Sequence, residues 1–308
     1  NQFSSSFFIN CSIEFLAVCG LIGNILNIII LSHHRFKDTT NILLTSLSCD
    51  DLLCSLTEAI FRVPYIMQAF YPCPPFLNFC RQYLLILINL ALSQSQLLAA
   101  VIAVERLAAV WFPFLVSRVF TPRRVMILIV LLHVITFLMV SPGFVRYHGI
   151  WRNAQINNVT IYYFFLKDMS NADLQVINWY MVFFVNIIYS TLPLLIILVS
   201  STLIMIKMHI ISKEMKNRLA SGVKSKKLKI LKATKMLLVV CFFSLLVCFV
   251  TCILYIVPML IEVDHHFFKV CDEITHFFSQ LETVVNFIIY VSMSSKFAQT
   301  YKKLFCTF

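Results

Sequence analysis

Apolar residues along this chain gather into long runs rather than alternating with polar ones. The runs cover roughly 13–32, 42–69, 81–107, 125–142, 176–206, 233–260 and 273–294. About twenty apolar residues are enough for one helical crossing of a bilayer. With no water in the hydrocarbon core, a spanning backbone must satisfy its own hydrogen bonds, so crossings are helices or strands of a closed barrel. The absence of period-two alternation selects helices. The pattern therefore predicts an all-α membrane protein, a seven-transmembrane helix bundle in one domain over 1–308, with no internal repeat. The second, third and fifth runs exceed one bilayer thickness, which implies tilt or projection beyond it. Phe297, Tyr301 and Phe305 recur at helical spacing after the last run, which predicts a short amphipathic eighth helix over about 295–306.

Composition sharpens this picture. Hydrophobic residues make up 60% of the chain and charged ones 13%, too little polar surface to solvate a globular domain of 308 residues. The charge sets the orientation. One set of alternate connections carries 19 Lys and Arg (Arg35, Lys37, Arg106, Arg118, Arg123, Arg124, ten from Lys207 to Lys235, Lys296, Lys302, Lys303) and the other 6. Basic residues are retained on the cytoplasmic side, so the N-terminus is expected outside and the C-terminus inside. The net charge of +11 is concentrated beside spans 5 and 6. There it reads as retention and attraction to anionic lipid rather than as a nucleic-acid site. The partners expected on these grounds are the lipid bilayer and no nucleic acid. The chain opens on Asn1 rather than Met, so a few preceding residues are expected, and the first span is expected to direct insertion.

Two sequons, Asn10-Cys11-Ser12 and Asn158-Val159-Thr160, fall on the expected outer side, which makes Asn10 and Asn158 candidate glycosylation sites. Of eleven cysteines, Cys19, Cys49, Cys54, Cys241, Cys248 and Cys252 lie within spans and read as small buried residues. Cys11, Cys73, Cys80 and Cys271 lie on the oxidising side and allow three pairings. Cys306, on the amphipathic stretch, is a candidate for palmitoylation. Enzyme chemistry finds little support. His133 and His276 are the only intramembrane histidines, no Gly-rich phosphate loop or Gly-x-Ser-x-Gly is present, and five glycines in all leave little room for one. A channel or transporter would be expected to show inverted halves or broken short spans.

Motifs then separate the remaining classes. The first span holds Gly23-Asn24, the second Asn41 and Leu47-Ser48-Cys49-Asp50-Asp51-Leu52-Leu53. The third ends Glu105-Arg106-Leu107 with Ala109, Val110 and Pro113 following, and the seventh carries Asn286-Phe287-Ile288-Ile289-Tyr290. In order and spacing these resemble the marks of rhodopsin-like (class A) G-protein-coupled receptors, over the whole chain. Phe36-Lys37-Asp38-Thr39-Thr40-Asn41, Thr121-Pro122-Arg123-Arg124 and Met293-Ser294-Ser295-Lys296 are similar to the orphan chemosensory and FMRFamide-receptor-like group of molluscs. The resemblance implies a receptor for an extracellular peptide or small chemosignal that acts on a cytoplasmic heterotrimeric G protein. A channel or transporter, or an orphan receptor without conventional G-protein signalling, is the alternative.

By resemblance, Arg106, paired with Glu105, would be freed on activation to meet the G protein, with Pro113 and Phe114 forming an apolar second-loop contact. Asn24, Asp51, Ser95 and Asn286 would form a polar core that can hold sodium, and Glu282, one turn before Asn286, could add a second carboxylate. Physics agrees that a mid-membrane acid must face polar partners. Phe249, Asn286 and Tyr290 stand at the activation motifs, with departures. Phe287 replaces a proline, Cys248-Phe249-Val250-Thr251 stands for Cys-Trp-x-Pro, Leu107 replaces an aromatic residue, and Ser201 stands where tyrosine is usual. Without the proline, the sixth helix should be straighter than usual.

Gln280 occupies the position of a Schiff-base lysine, so no retinal is expected, and Ile88 stands where an amine receptor carries aspartate. For the ligand pocket, Glu273, His276 and Gln280 share one face of the seventh helix, and Glu58 and Arg62 lie one turn apart on the second, with Asn89 on the third. Glu58 with Arg62 also reads as a local ion pair, and His276 as a packed neutral ring. The family's usual bridge from the third helix to the second outer loop is ruled out, because no cysteine occurs from 141 to 200. Since the first and seventh helices are neighbours in this bundle, the resemblance favours Cys11 with Cys271 and Cys73 with Cys80. Finally, Asp50 and Asp51 point about 100° apart and cannot both join the core. His133 sits in the slot of a helix 4 tryptophan that faces helix 2, at matching depth. That predicts a buried pair, Asp50 with His133.

Overall fold

The computed structural model describes residues 2–33, 38–67, 75–146, 149–156, 159–166, 176–177, 179–217, 222–260, 265–293 and 295–305. Seven long helices run through them: α1 (Gln2–His33), α2 (Thr39–Met67), α3 (Pro75–Trp111), α4 (Pro122–Val140), α5, α6 (Gly222–Leu260) and α7 (His265–Met293), followed by the short α8 (Ser295–Phe305). Helix α5 opens with two π-helical stretches, Tyr180–Val185 and Ile187–Thr191, and continues as α-helix over Leu192–Asn217. Short helices Pro113–Val119 and Pro142–Arg146 flank α4. Between α4 and α5 the chain forms an antiparallel hairpin of β1 (Gly149–Ile156) and β2 (Val159–Leu166), in register from Gly149 opposite Leu166 to Ile156 opposite Val159. The apolar runs did not announce this hairpin.

Among the described residues, five helical stretches are long and apolar enough to cross a membrane: Phe7–His33, Tyr83–Trp111, Pro122–Phe144, Phe183–Lys213 and Thr234–Leu254. Helices α2 and α7 carry more polar residues and do not meet that measure, yet they lie in the same bundle. They turn these residues inward. Asp50, Asp51, Glu58 and Arg62 on α2, and Glu273, His276, Glu282 and Asn286 on α7, are all buried. The outer surface is the reverse of a soluble protein's. On α4, Met126, Ile127, Val130, Leu131, Val134, Ile135 and Leu138 are exposed at three- and four-residue spacing, whereas Val125, Thr136 and Val140 are buried. Such a stripe is stable only against lipid.

Local signals set several helix ends. Thr121 caps α4, its side chain accepting from the Arg124 amide at 3.4 Å, with Pro122 in the first helical position, where a missing N–H costs nothing. At the end of the bundle that holds Arg106, one core joins Ile30 of α1, Leu43 and Leu47 of α2, Leu98 and Ile102 of α3, Leu237 and Val240 of α6 and Ile289 and Tyr290 of α7. Phe297 anchors α8 in the same core, its ring centroid 6.1 Å from that of Tyr290. Small residues draw α3 against α5 and α6, where Ala99, Ala100 and Ala103 meet Ile197 and Cys241.

Glycine makes a second close approach possible. A Cβ on Gly20 would lie 2.6 Å from both Ser55 Oγ and Thr283 Oγ1, so α1 can reach α2 and α7 only without a side chain there. Gly23 makes room for Phe287, the residue that replaces the family proline: a Cβ on Gly23 would lie 3.0 Å from that of Phe287. Helix α6 is one unbroken helix over its 39 residues, with Thr251 Oγ1 donating to the Val247 carbonyl at 2.8 Å where a proline would have removed a bond.

Candidate functional site

Four groups of polar side chains inside the bundle contain the residues singled out above. At one end, Arg106 forms two hydrogen bonds to the Glu105 carboxylate and a third to the Thr40 hydroxyl of α2. Thr40 in turn donates to Glu105 at 3.5 Å. Glu105 is buried, so the pair is neutralised inside the bundle rather than offered at its surface. Pro113 starts the adjoining short helix, and Phe114 in its first turn is 89% exposed. A clasp unmarked in the sequence lies beside this group. Trp111 donates its indole N–H to the Leu203 carbonyl of α5 at 3.3 Å, and Lys207 sits over its ring at 4.9 Å.

In the middle, Asp51 accepts from Ser95 of α3 at 2.8 Å on one oxygen and from Asn286 of α7 at 2.9 Å on the other. Asn24 joins from α1 less directly. It donates to the Gly20 carbonyl at 3.0 Å and, at 3.5 Å, to that of Thr283, while Asn27 donates to its oxygen at 3.3 Å. Glu282 is turned toward α6, where it accepts from Ser244, a partner that sequence spacing gave no way of finding. Asn27 Oδ1, Asn286 Oδ1 and Tyr290 Oη are buried with no hydrogen-bond partner. This donor set, carboxylates with hydroxyl and amide oxygens, fits a small hard cation. Among the described residues, no group of three or more His, Cys, Asp or Glu could hold a metal ion by itself.

The third group lies toward the opposite end. Arg62 Nε donates to Glu58 Oε1 at 2.6 Å, Arg62 Nη1 donates to Asn10 Oδ1 of α1 at 2.8 Å, and His276 Nδ1 of α7 lies 2.9 Å from Glu58 Oε2. The His276 ring stacks on Phe61 at 6.3 Å, and its Nε2 lies 3.7 Å from Asp272 Oδ2. Gln280, one turn below, donates to Cys54 Sγ at 3.3 Å, while its oxygen has no partner. Of the residues expected to line a ligand pocket, Glu58, Arg62 and His276 are bonded to one another, and these three, Gln280 and Glu273 are buried. The ion pair read from the one-turn spacing exists, extended by α1 and α7. Asn89 stands apart, its amide bonded to the Leu85 carbonyl of its own helix at 2.9 Å.

The fourth group is a seam between α2, α3 and α4. His133 Nε2 lies 3.0 Å from Asp50 Oδ1, and Nδ1 lies 2.8 Å from the Ile129 carbonyl. Gln94 Nε2 approaches Nδ1 at 3.2 Å and accepts from Thr136 at 2.8 Å through its oxygen. The other Asp50 oxygen is buried without a partner.

Three further expectations need correction. Phe249 does not face the core. On α6 the buried positions include Leu237, Val240, Cys241, Ser244, Val247, Cys248, Thr251 and Cys252, and Phe249 falls on the opposite stripe with Phe242, Leu246 and Ile253, 52% exposed. Helical phase decides this, because a one-residue step turns the side chain by about 100°. A glycan on Asn10 is excluded by its surroundings: α1 starts at Gln2, and Asn10 is buried within that helix and bound to Arg62. A sugar needs an exposed acceptor. Cys11 and Cys271 are free thiols, so the bridge expected between them is not formed. Cys73, Asn158 and Cys306 lie outside the described residues, as does the side chain of Cys80.

Residues 23–290 match the family described as 7 transmembrane receptor (rhodopsin family). The chain belongs to the rhodopsin family of seven-transmembrane receptors. A protein of Caenorhabditis elegans described as a probable G-protein coupled receptor is similar over 160 residues at 27% identity, which covers 48% of this chain and 35% of that relative. The chain thus spans about a third of the length of the curated relative it matches. The family is one of receptors, not enzymes, and its members are multi-pass membrane proteins.

Proposed function

We propose that the chain is a plasma-membrane receptor with its N-terminus outside, passing the binding of an extracellular ligand to a heterotrimeric G protein at its Arg106 end. The observation that carries this reading is the arrangement there. Arg106 is held by Glu105 and Thr40 in a bonded, releasable state, and Phe114, in the short helix that follows α3, is 89% exposed. An exposed phenylalanine on the segment that follows a masked arginine suits a partner that inserts an apolar contact and then takes the guanidinium. The unequal distribution of lysine and arginine supports the orientation. The likeness to the molluscan chemosensory and FMRFamide-receptor-like group, with Gln280 and Ile88 at the retinal and amine positions, supports a peptide or small chemosignal as the ligand.

Sodium is part of this proposal. Asp51, Ser95 and Asn286, with Asn24 beside them, would hold the ion, whose positive charge would offset the buried carboxylate. The test of coupling is Arg106→Ala, expressed with promiscuous and chimeric G proteins and screened against peptide and odorant libraries. Activation should be lost while surface expression stays measurable; normal signalling by the variant would overturn the role of Arg106. Ligand-independent ion flux would instead indicate a channel or transporter. The outward-facing Phe249 favours one second reading, a receptor without conventional G-protein signalling, which the same screen would reveal as surface expression with no response from any G protein.

A further inference from the structure

The geometry points to a proton-binding site at His276, occupied when α7 is clamped to α2 and α1 at the end of the bundle remote from Arg106. The argument begins with Glu58. Its Oε1 accepts from Arg62, a guanidinium that does not lose its proton, so the carboxylate is held in its ionised, acceptor-only form. His276 Nδ1, 2.9 Å from the other Glu58 oxygen, must then carry a hydrogen. The second ring nitrogen faces another carboxylate oxygen, Asp272 Oδ2, at 3.7 Å. A carboxylate opposite each nitrogen suits an imidazolium. A neutral ring has a single N–H and can serve only one of the two.

The two hydrogens differ in what they do. The one on Nδ1 joins α7 to α2, and through Arg62 and Asn10 to α1, so three helices share one bonded chain. The one on Nε2 faces Asp272, one turn away on the same helix. The His276 side chain is 4% exposed and that of Asp272 40%, so Asp272 is the member in contact with solvent and the route by which a proton enters or leaves. When the proton leaves, a lone pair on Nε2 faces the Asp272 carboxylate, or the remaining hydrogen moves to Nε2 and the link to Glu58 is lost. Either outcome weakens the clamp.

The groups around the ring are these. From α2 come Glu58 and Arg62. From α7 come Asp272 and, three residues before the histidine, the buried Glu273. From α1 come Asn10 and Glu14, the latter within electrostatic reach of Glu58 and Arg62. Over its residues 236–254, α6 brings no charged side chain. Acids outnumber bases in this set, which favours holding a proton. The inference rests on the proposed function only in taking this end as the outer one, where the site would make the receptor responsive to extracellular pH.

The full chain in lipid nanodiscs provides the test, by thermal unfolding across roughly pH 5 to 8, the range in which histidine changes charge. The wild-type midpoint should fall as pH rises, because the link to both carboxylates exists only in the protonated form. In His276→Gln, which retains a donor for Glu58 but no titration, that fall should be lost. Asp272→Asn should shift the pH at which it occurs. Parallel profiles for wild type and His276→Gln would overturn the site. Should His276→Gln fail to fold, histidine ring nitrogen NMR on the wild type and Asp272→Asn decides: one histidine signal should titrate differently in the two, and identical titration of every histidine would refute the inference. Neither readout involves a G protein, so a failure of coupling and a failure of this site are told apart.

Discussion

Replacing Glu58 with leucine tests the central electrostatic claim about this bundle. The substitution keeps much of the volume but removes the carboxylate that both Arg62 and His276 face at 2.6 and 2.9 Å. The side chains of Arg62 and Glu58 are 3% and 0% exposed, so little water can replace the lost partner. Breaking a buried ion pair from one side costs about 3–5 kcal/mol, chiefly because the remaining charge is left uncompensated. That is a large share of a typical folding free energy and corresponds to a drop in unfolding midpoint on the order of 10 °C. The double variant Glu58→Leu, Arg62→Met removes both charges. Its cost should be smaller, about 1–2 kcal/mol, mainly from leaving Asn10 without the Arg62 donor and His276 without Glu58. The measurement is a double-mutant comparison of unfolding midpoints in nanodiscs, together with surface abundance in cells. A single variant as stable as wild type, or a double variant less stable than the single, would refute the reasoning.

The packing of α1 makes a second prediction: Gly20→Val forces a side chain into a space where even a Cβ meets two oxygens at 2.6 Å, and should lower stability by about 1–3 kcal/mol, visible as reduced surface expression. Phe249→Ala should change both basal signalling and stability little, within about 0.5 kcal/mol, because the ring faces outward on α6; a large loss of signalling would return Phe249 to the activation machinery. Ser12→Ala destroys the Asn10 sequon at an exposed position without touching the Asn10–Arg62 bond, so electrophoretic mobility before and after glycosidase should match that of the parent at this site.

The reading of a seven-helix membrane bundle was available from one dimension, because lipid imposes a length and a polarity that apolar runs record directly. The depth of one pair was legible for a related reason: at a constant rise per residue, Asp50 and His133 stand at equal height, whereas the grouping of Asp51, Ser95 and Asn286 came from the family resemblance. What a linear pattern cannot hold is rotation about each helix axis and the choice of neighbour across a seam. Phe249 and Cys248 differ by one position, yet one faces outward and the other is buried, because the phase of α6 is set by packing Ser244 against Glu282 and Cys241 against α3. Asn10 reads as a glycan acceptor until α1 is found to begin at Gln2 and turn it toward Arg62. Glu58, Arg62 and His276 looked like pocket lining because their spacing shows only that they share faces. Whether such faces meet a ligand or one another depends on how closely α1, α2 and α7 approach, and at Gly20 that approach is decided by the absence of a single side chain.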